Sequence, residues 1–128
     1  MRIKVKIGLA CLGLMAVPAV ALGGVRPPDD TTYQDGGSVA TTTNGGKKVD
    51  LGVAIYECGN PVPFSIEGVK VSRKGKYAHS GRTKNVAGDK YDLTVKGEFK
   101  SKSKTVQKVT IEKGSCKKSE KITLKAVK

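Results

Sequence analysis

The chain contains one histidine, His79, in the run YAHSGR beside Ser80, so the first chemistry to weigh is activation of a hydroxyl by an imidazole. That chemistry needs the two side chains to converge. The run around His79 reads as a β-strand, where neighbouring residues point to opposite faces, so Ser80 is not the hydroxyl His79 would serve. His79 is expected as an exposed strand histidine. Paired carboxylates for glycoside cleavage fare no better. Asp89 and Asp92 flank a turn, while Glu98 and Glu112 stand among lysines and balance charge across neighbouring strands. The glycine pairs, NGG included, lack the spacing of a phosphate-binding or dinucleotide-binding loop. Two cysteines of the exported chain and one distant histidine do not make a four-ligand metal set. The expectation is a protein that is no enzyme, with no catalytic, cofactor-binding or metal-binding residues.

The other residues that could do chemistry are lysines. In the second half of the chain Lys96, Lys100, Lys108 and Lys125 alternate with Thr94, Thr110 and Thr123, and Lys102 and Lys104 crowd a turn, with Lys113, Lys117, Lys118 and Lys121 around the next. If the segments are neighbours, one sheet face carries ammonium groups with hydroxyls between them. Such a face suits anionic polymers or surfaces: teichoic acids, acidic polysaccharides, lipid head groups, extracellular DNA. Lysine outnumbers arginine, which favours diffuse attraction over bidentate recognition. Aromatics are not interleaved for base stacking, so sequence-specific nucleic-acid binding is not expected. The same lysines would also protect strand edges and aid solubility.

These side chains are positioned by alternation. Tyr91, Leu93, Val95, Gly97 and Phe99 share one parity, Val109 and Ile111 another inward set, and Ile122, Leu124 and Ala126 a third, each set alternating with polar residues. Period two marks half-buried strands, here an antiparallel three-stranded meander. Upstream, Val49 to Tyr56 and Phe64 to Val71 repeat the pattern, with a parity slip at Gly68 that predicts a bulge. Lys76 to Thr83 makes a weaker strand, and Asn60-Pro61 and Pro63 mark a loop. No amphipathic helical pattern occurs after the N-terminal segment. The expected fold is all-β, a small antiparallel sandwich or partly open barrel of about six to eight strands with one disulfide and no substantial helix.

Residues 1–21 have the parts of a secretory signal peptide: Arg2, Lys4 and Lys6, an apolar stretch from Ile7 to Val17, and the small-residue site Ala19-Val20-Ala21. Cleavage removes Cys11 and leaves no transmembrane segment, and the remaining pair, Cys58 and Cys116, is expected as a disulfide in an oxidising compartment. Residues 22–48, rich in Gly, Thr, Asp and Pro, read as a flexible arm, with Tyr33 incidental, and residues 49–128 as the β domain. The formal charge of +13 is uneven. Gly23 to Glu67 holds three basic residues against six acids, whereas from Gly68 onward 18 basic residues face five acids. Solubility alone does not require that segregation, so the basic face is read as functional.

The order VKGEF, VTIEKGSC and KITLKA, with the earlier CGNPVPF and GKY, resembles small secreted single-disulfide β domains of actinobacterial extracellular proteins of unknown function, over roughly residues 56 to 126. The resemblance implies a disulfide-linked β fold and export, and no activity. The functional expectation is therefore an exported, secreted or surface-associated domain that binds anionic envelope or matrix polymers through its Lys/Thr face. The alternative is a protein-binding module, an inhibitor or adhesion component, that uses the loops around Cys58.

Overall fold

The computed structural model describes residues 24–127, so the expected signal segment 1–21 lies outside the described residues. Eight strands follow one another: β1 (Thr32–Asp35), β2 (Ser38–Thr43), β3 (Lys48–Val53), β4 (Phe64–Lys70), β5 (Lys76–Lys84), β6 (Lys90–Ser101), β7 (Lys104–Lys113) and β8 (Cys116–Ala126). They form one antiparallel sheet in the order β4-β3-β2-β1-β8-β7-β6-β5. Each half of the chain is thus a four-stranded meander, and the halves join where β1 pairs with β8 through Tyr33–Ala126 and Gln34–Lys125. The outer strands β4 and β5 meet again at the single bridge Phe64–Asn85, which brings the sheet nearly round into a barrel. The all-β fold read from alternation is the fold observed. Among the described residues the helical structure is one 3₁₀ turn, Asn44–Gly46, and no helix is long and apolar enough to cross a membrane.

Inward parity decides the core. Leu93, Val95, Phe99, Val109, Ile111 and Leu124 from β6–β8 meet Tyr33, Val49, Leu51, Val53 and Phe64 from β1–β4, all fully or nearly fully buried. Tyr33 and Phe99 pack edge-on at 5.1 Å between centroids, and Phe64 and Tyr91 at 5.9 Å. The bulge expected at Gly68 is present: the β3–β4 register shifts between Val49 and Leu51, Gly68 takes φ +69°, and its amide donates to Asp50 Oδ1 at 2.8 Å. The alternation at the start of β8 breaks down. Lys118 and Glu120 have inward parity yet stay exposed, because β1 covers β8 only at Lys125 and Ala126.

The segment 22–48 corrects an expectation, since it is structured from Gly24 onward and is not a flexible arm. Asp35-Gly36-Gly37-Ser38 is a two-residue hairpin between β1 and β2, with Gly36 at φ +55°. β1 buries one side chain, Tyr33, and β2 is poor in large apolar residues because its inward sites are small. Ser38, Ala40 and Thr42 are buried there, with the two hydroxyls satisfied: Thr42 Oγ1 donates to the Pro28 carbonyl at 2.6 Å, and Ser38 Oγ accepts from the Ala54 amide at 3.1 Å. Tyr33 is a core residue whose hydroxyl donates to the Lys102 carbonyl at 2.7 Å. Ahead of β1, residues 24–30 form a strap held to the barrel by Val25 N–H to the Phe99 carbonyl at 2.9 Å.

The opposite side of the structure is held by the loop between β3 and β4. The expected disulfide Cys58–Cys116 is formed, with Cα atoms 5.6 Å apart, and ties this loop to the β7–β8 turn. Buried Asn60 lies beside it, donating to the Ile55 carbonyl and accepting from Asn85 Nδ2 at 2.6 Å. Asn60 thereby joins the loop to the turn after β5.

Candidate functional site

The charge asymmetry along the sequence becomes an asymmetry in space, because each half of the chain builds its own meander. The basic half is β5–β8, and its outer face is organised in cross-strand rows set by register. Lys96 opposes Lys108, and Lys108 opposes Lys121. Three exposed ammonium side chains therefore stand side by side on consecutive strands, about 4.8 Å apart at the backbone. Two residues along, Thr94 opposes Thr110 and Thr110 opposes Ser119. The Thr110 and Ser119 hydroxyls are 2.8 Å apart and satisfy each other. The expected alternation of lysine and hydroxyl rows is present at these positions.

On the other side of the lysine row, Lys76 opposes Glu98. Glu98 accepts from Lys100 Nζ at 2.7 Å. That hydrogen bond, with the nearby Lys100 and Lys76 charges, holds its carboxyl below the usual carboxylate range. Lys76, Lys96, Lys100, Lys108 and Lys121 surround a depression of about 260 Å³, with Gly97 and Val106 also lining it and Glu98 as its one acid. Glu98 is engaged by Lys100, so Lys96, Lys108 and Lys121 have no carboxylate within ion-pair distance among the described residues. The row beyond the hydroxyls is different again: there Arg82 is paired with Asp92 at 3.1 Å.

The remaining expected residues do not join this row. Lys104 opposes Lys125, four residues along β8 from Lys121, and the two line a separate depression of about 360 Å³ with Ser101 and Ser103. Lys102 lies in the β6–β7 turn. Thr123 is exposed opposite Val106. The uniform lysine surface expected from parity is in fact two clusters. Lys121 and Lys76 were missed as members of the first. The signal for Lys121 lies in Gly114-Ser115, where Gly114 takes φ +60° in a two-residue turn that pairs Lys113 with Cys116. Counting back from that pair brings Lys108 opposite Lys121.

His79 is half-buried on β5, and its Nε2 lies 2.7 Å from Thr83 Oγ1, which donates to the Gly81 carbonyl at 3.0 Å. Residues four apart on a straight strand stand about 13 Å from one another, so β5 must bend between them, and Gly81 with φ +132° is where it can. Ser80 faces the outer side, 3.5 Å from Thr94. Among the described residues no three His, Cys, Asp or Glu side chains gather as a metal site. No protein-family model, curated protein or solved structure matches the chain.

Proposed function

We propose that this protein is an exported, non-enzymatic β-barrel domain that holds anionic envelope or matrix polymers on the outer face of β5–β8, with Lys96, Lys108 and Lys121 at the centre. The observation that carries this reading is the unpaired lysine row. Like charges directly opposite one another destabilise a sheet, and the nearest acids are engaged by other cations, Glu98 by Lys100 and Asp92 by Arg82. Edge protection explains lysines on outer strands. It does not explain Lys96 and Lys108, which sit on β6 and β7 with a paired strand on either side. A row of uncompensated cations on interior strands is, however, what a repeating anion requires. The disulfide fits an oxidising compartment, and the basic half supplies the long-range field that would draw a polyanion to this side.

Retention on a heparin column in a salt gradient tests the proposal. Each lost ammonium–anion contact lowers the salt dependence of log K by about 0.7 to 0.9. K96Q/K108Q/K121Q should elute at much lower salt than the native protein, with a slope smaller by two or more, whereas K104Q/K125Q should shift elution less. Equal elution of the native protein and the triple variant would refute the assignment.

A further inference from the structure

The lysine depression borders a second hollow. Between β4 and β5, away from the Phe64–Asn85 bridge, no strand pairing closes the sheet, and a trough of about 530 Å³ lies at the turn end of this seam, where Ser72 N–H donates to the Lys76 carbonyl at 2.9 Å. Its lining includes Val71, Tyr77, Ala78 and Gly97, with Lys70, Lys76 and Lys96 at its rim. Lys76, Lys96 and Gly97 belong to both hollows. A mainly apolar trough therefore stands directly beside a cluster of cations. Small-ligand sites have this form, a concave apolar volume of about 300–1,000 Å³ with a few polar groups that fix one end.

A bare polyanion has no use for the trough, since its charges gain nothing from Val71 or Ala78. We infer that the combined site binds a monomeric single-chain anionic amphiphile, the compact anionic head among Lys76, Lys96, Lys108 and Lys121 and the alkyl chain along the β4–β5 trough. The inference rests on the anion-binding reading of the lysine row and adds the apolar part of the ligand. Lysine, a compact point charge, matches a phosphate or carboxylate head, and the stems of Lys70, Lys76 and Lys96 can lie along a chain while their ammonium groups stay in water.

Titration calorimetry of the native protein with ethyl, butyl, octyl and dodecyl phosphate below their micelle concentrations tests this, beside the heparin assay. Affinity should rise by about threefold to fourfold per methylene until the trough is filled. In A78Q, which puts a polar side chain on an exposed position of the trough, the dependence on chain length should flatten. K96Q/K108Q/K121Q should weaken every ligand in the series. Retention on heparin with equal affinity for ethyl and dodecyl phosphate would overturn the amphiphile and leave the polymer reading standing. A native protein that neither is retained on heparin nor binds any of the phosphates would overturn both. Binding to phosphatidylglycerol vesicles without binding of monomeric dodecyl phosphate would overturn it in favour of a lipid surface, and unchanged chain-length dependence in A78Q would overturn the trough as the chain site.

Discussion

The Tyr77 ring lies across Gly97, its cross-strand partner, and fills the space where a Cβ on Gly97 would stand. Through that gap the phenol crosses β6 and reaches β7, where its oxygen is 2.8 Å from Thr105 Oγ1 and 3.0 Å from Gln107 Nε2. Donors and acceptors run in one direction: Gln107 Nε2 donates to Tyr77, Tyr77 to Thr105, and Thr105 to the Glu98 carbonyl at 3.0 Å. Burial raises the Tyr77 pKa and keeps the phenol a donor. The arrangement fixes β5, β6 and β7 against one another beneath the lysine row.

Gly97→Ala should therefore cost about 1–3 kcal/mol in urea unfolding, the range for overpacking a closed site. In a Tyr77→Leu background the cost should vanish or reverse, because alanine is better than glycine in a strand by about 0.5–1 kcal/mol once the ring is gone. The coupling in this double-mutant cycle is the readout. Equal costs in both backgrounds would show that the ring does not depend on the missing Cβ.

The same residues show what was legible in the sequence. Alternation in β6–β8 gave the strands, the core parity and the outward lysines, because each of those strands carries several large inward residues. β2 stayed hidden because its inward positions are Ser38, Ala40 and Thr42, and polarity is no guide where the space is small and the hydroxyls find buried partners. β1 stayed hidden because its four residues bury a single side chain, Tyr33, too few to show alternation. The partition of the lysines was hidden for another reason. Parity decides the face, but register decides which lysines stand together, and register depends on turns and on the bulge between Phe99 and Ser101, which SKSK does not announce.

The strap of residues 24–30 depends on glycines elsewhere. Gly46 meets the Pro27 carbonyl and Gly75 the Val25 carbonyl where a Cβ would be, and both have positive φ, +83° and +76°. Gly75→Ala combines a left-handed conformation, worth about 1–2 kcal/mol for an L side chain, with a collision against the strap. Hydrogen exchange should then show Val25 N–H losing protection well before the β6–β7 amides. Unchanged protection at Val25 would mean that the strap is held by other contacts.

The disulfide closes a loop with a sequence separation of 58 residues. On the chain-entropy model its loss costs about 4 kcal/mol. C58A/C116A should lower the urea midpoint accordingly, and native protein measured with reductant should match the variant. The two agreeing at a loss below about 1 kcal/mol would indicate that Asn60, through Ile55 and Asn85, holds the loop without the cross-link.

Glu98 is the acid that tempers the lysine depression, and its lowered pKa sets the direction of two effects. A carboxyl with a folded pKa below its unfolded value contributes stability at pH above the ordinary glutamate range, near 4.3, and loses it as the pH falls through the lowered value. The stability contribution is small, because the Lys100 partner is exposed. The larger effect is on binding, since protonation removes the only negative charge among five lysines. Glu98→Gln should raise the salt needed for elution from heparin at pH 7. For the native protein, the part of the pH response that depends on Glu98 should appear only below about pH 4.3. Its size is the difference between the native and E98Q profiles, which should converge as acid neutralises the carboxyl. Profiles that coincide at pH 7 would place the bound polymer away from this depression, and convergence well above pH 4.3 would contradict the stabilisation of the Glu98 carboxylate by Lys100 and Lys76.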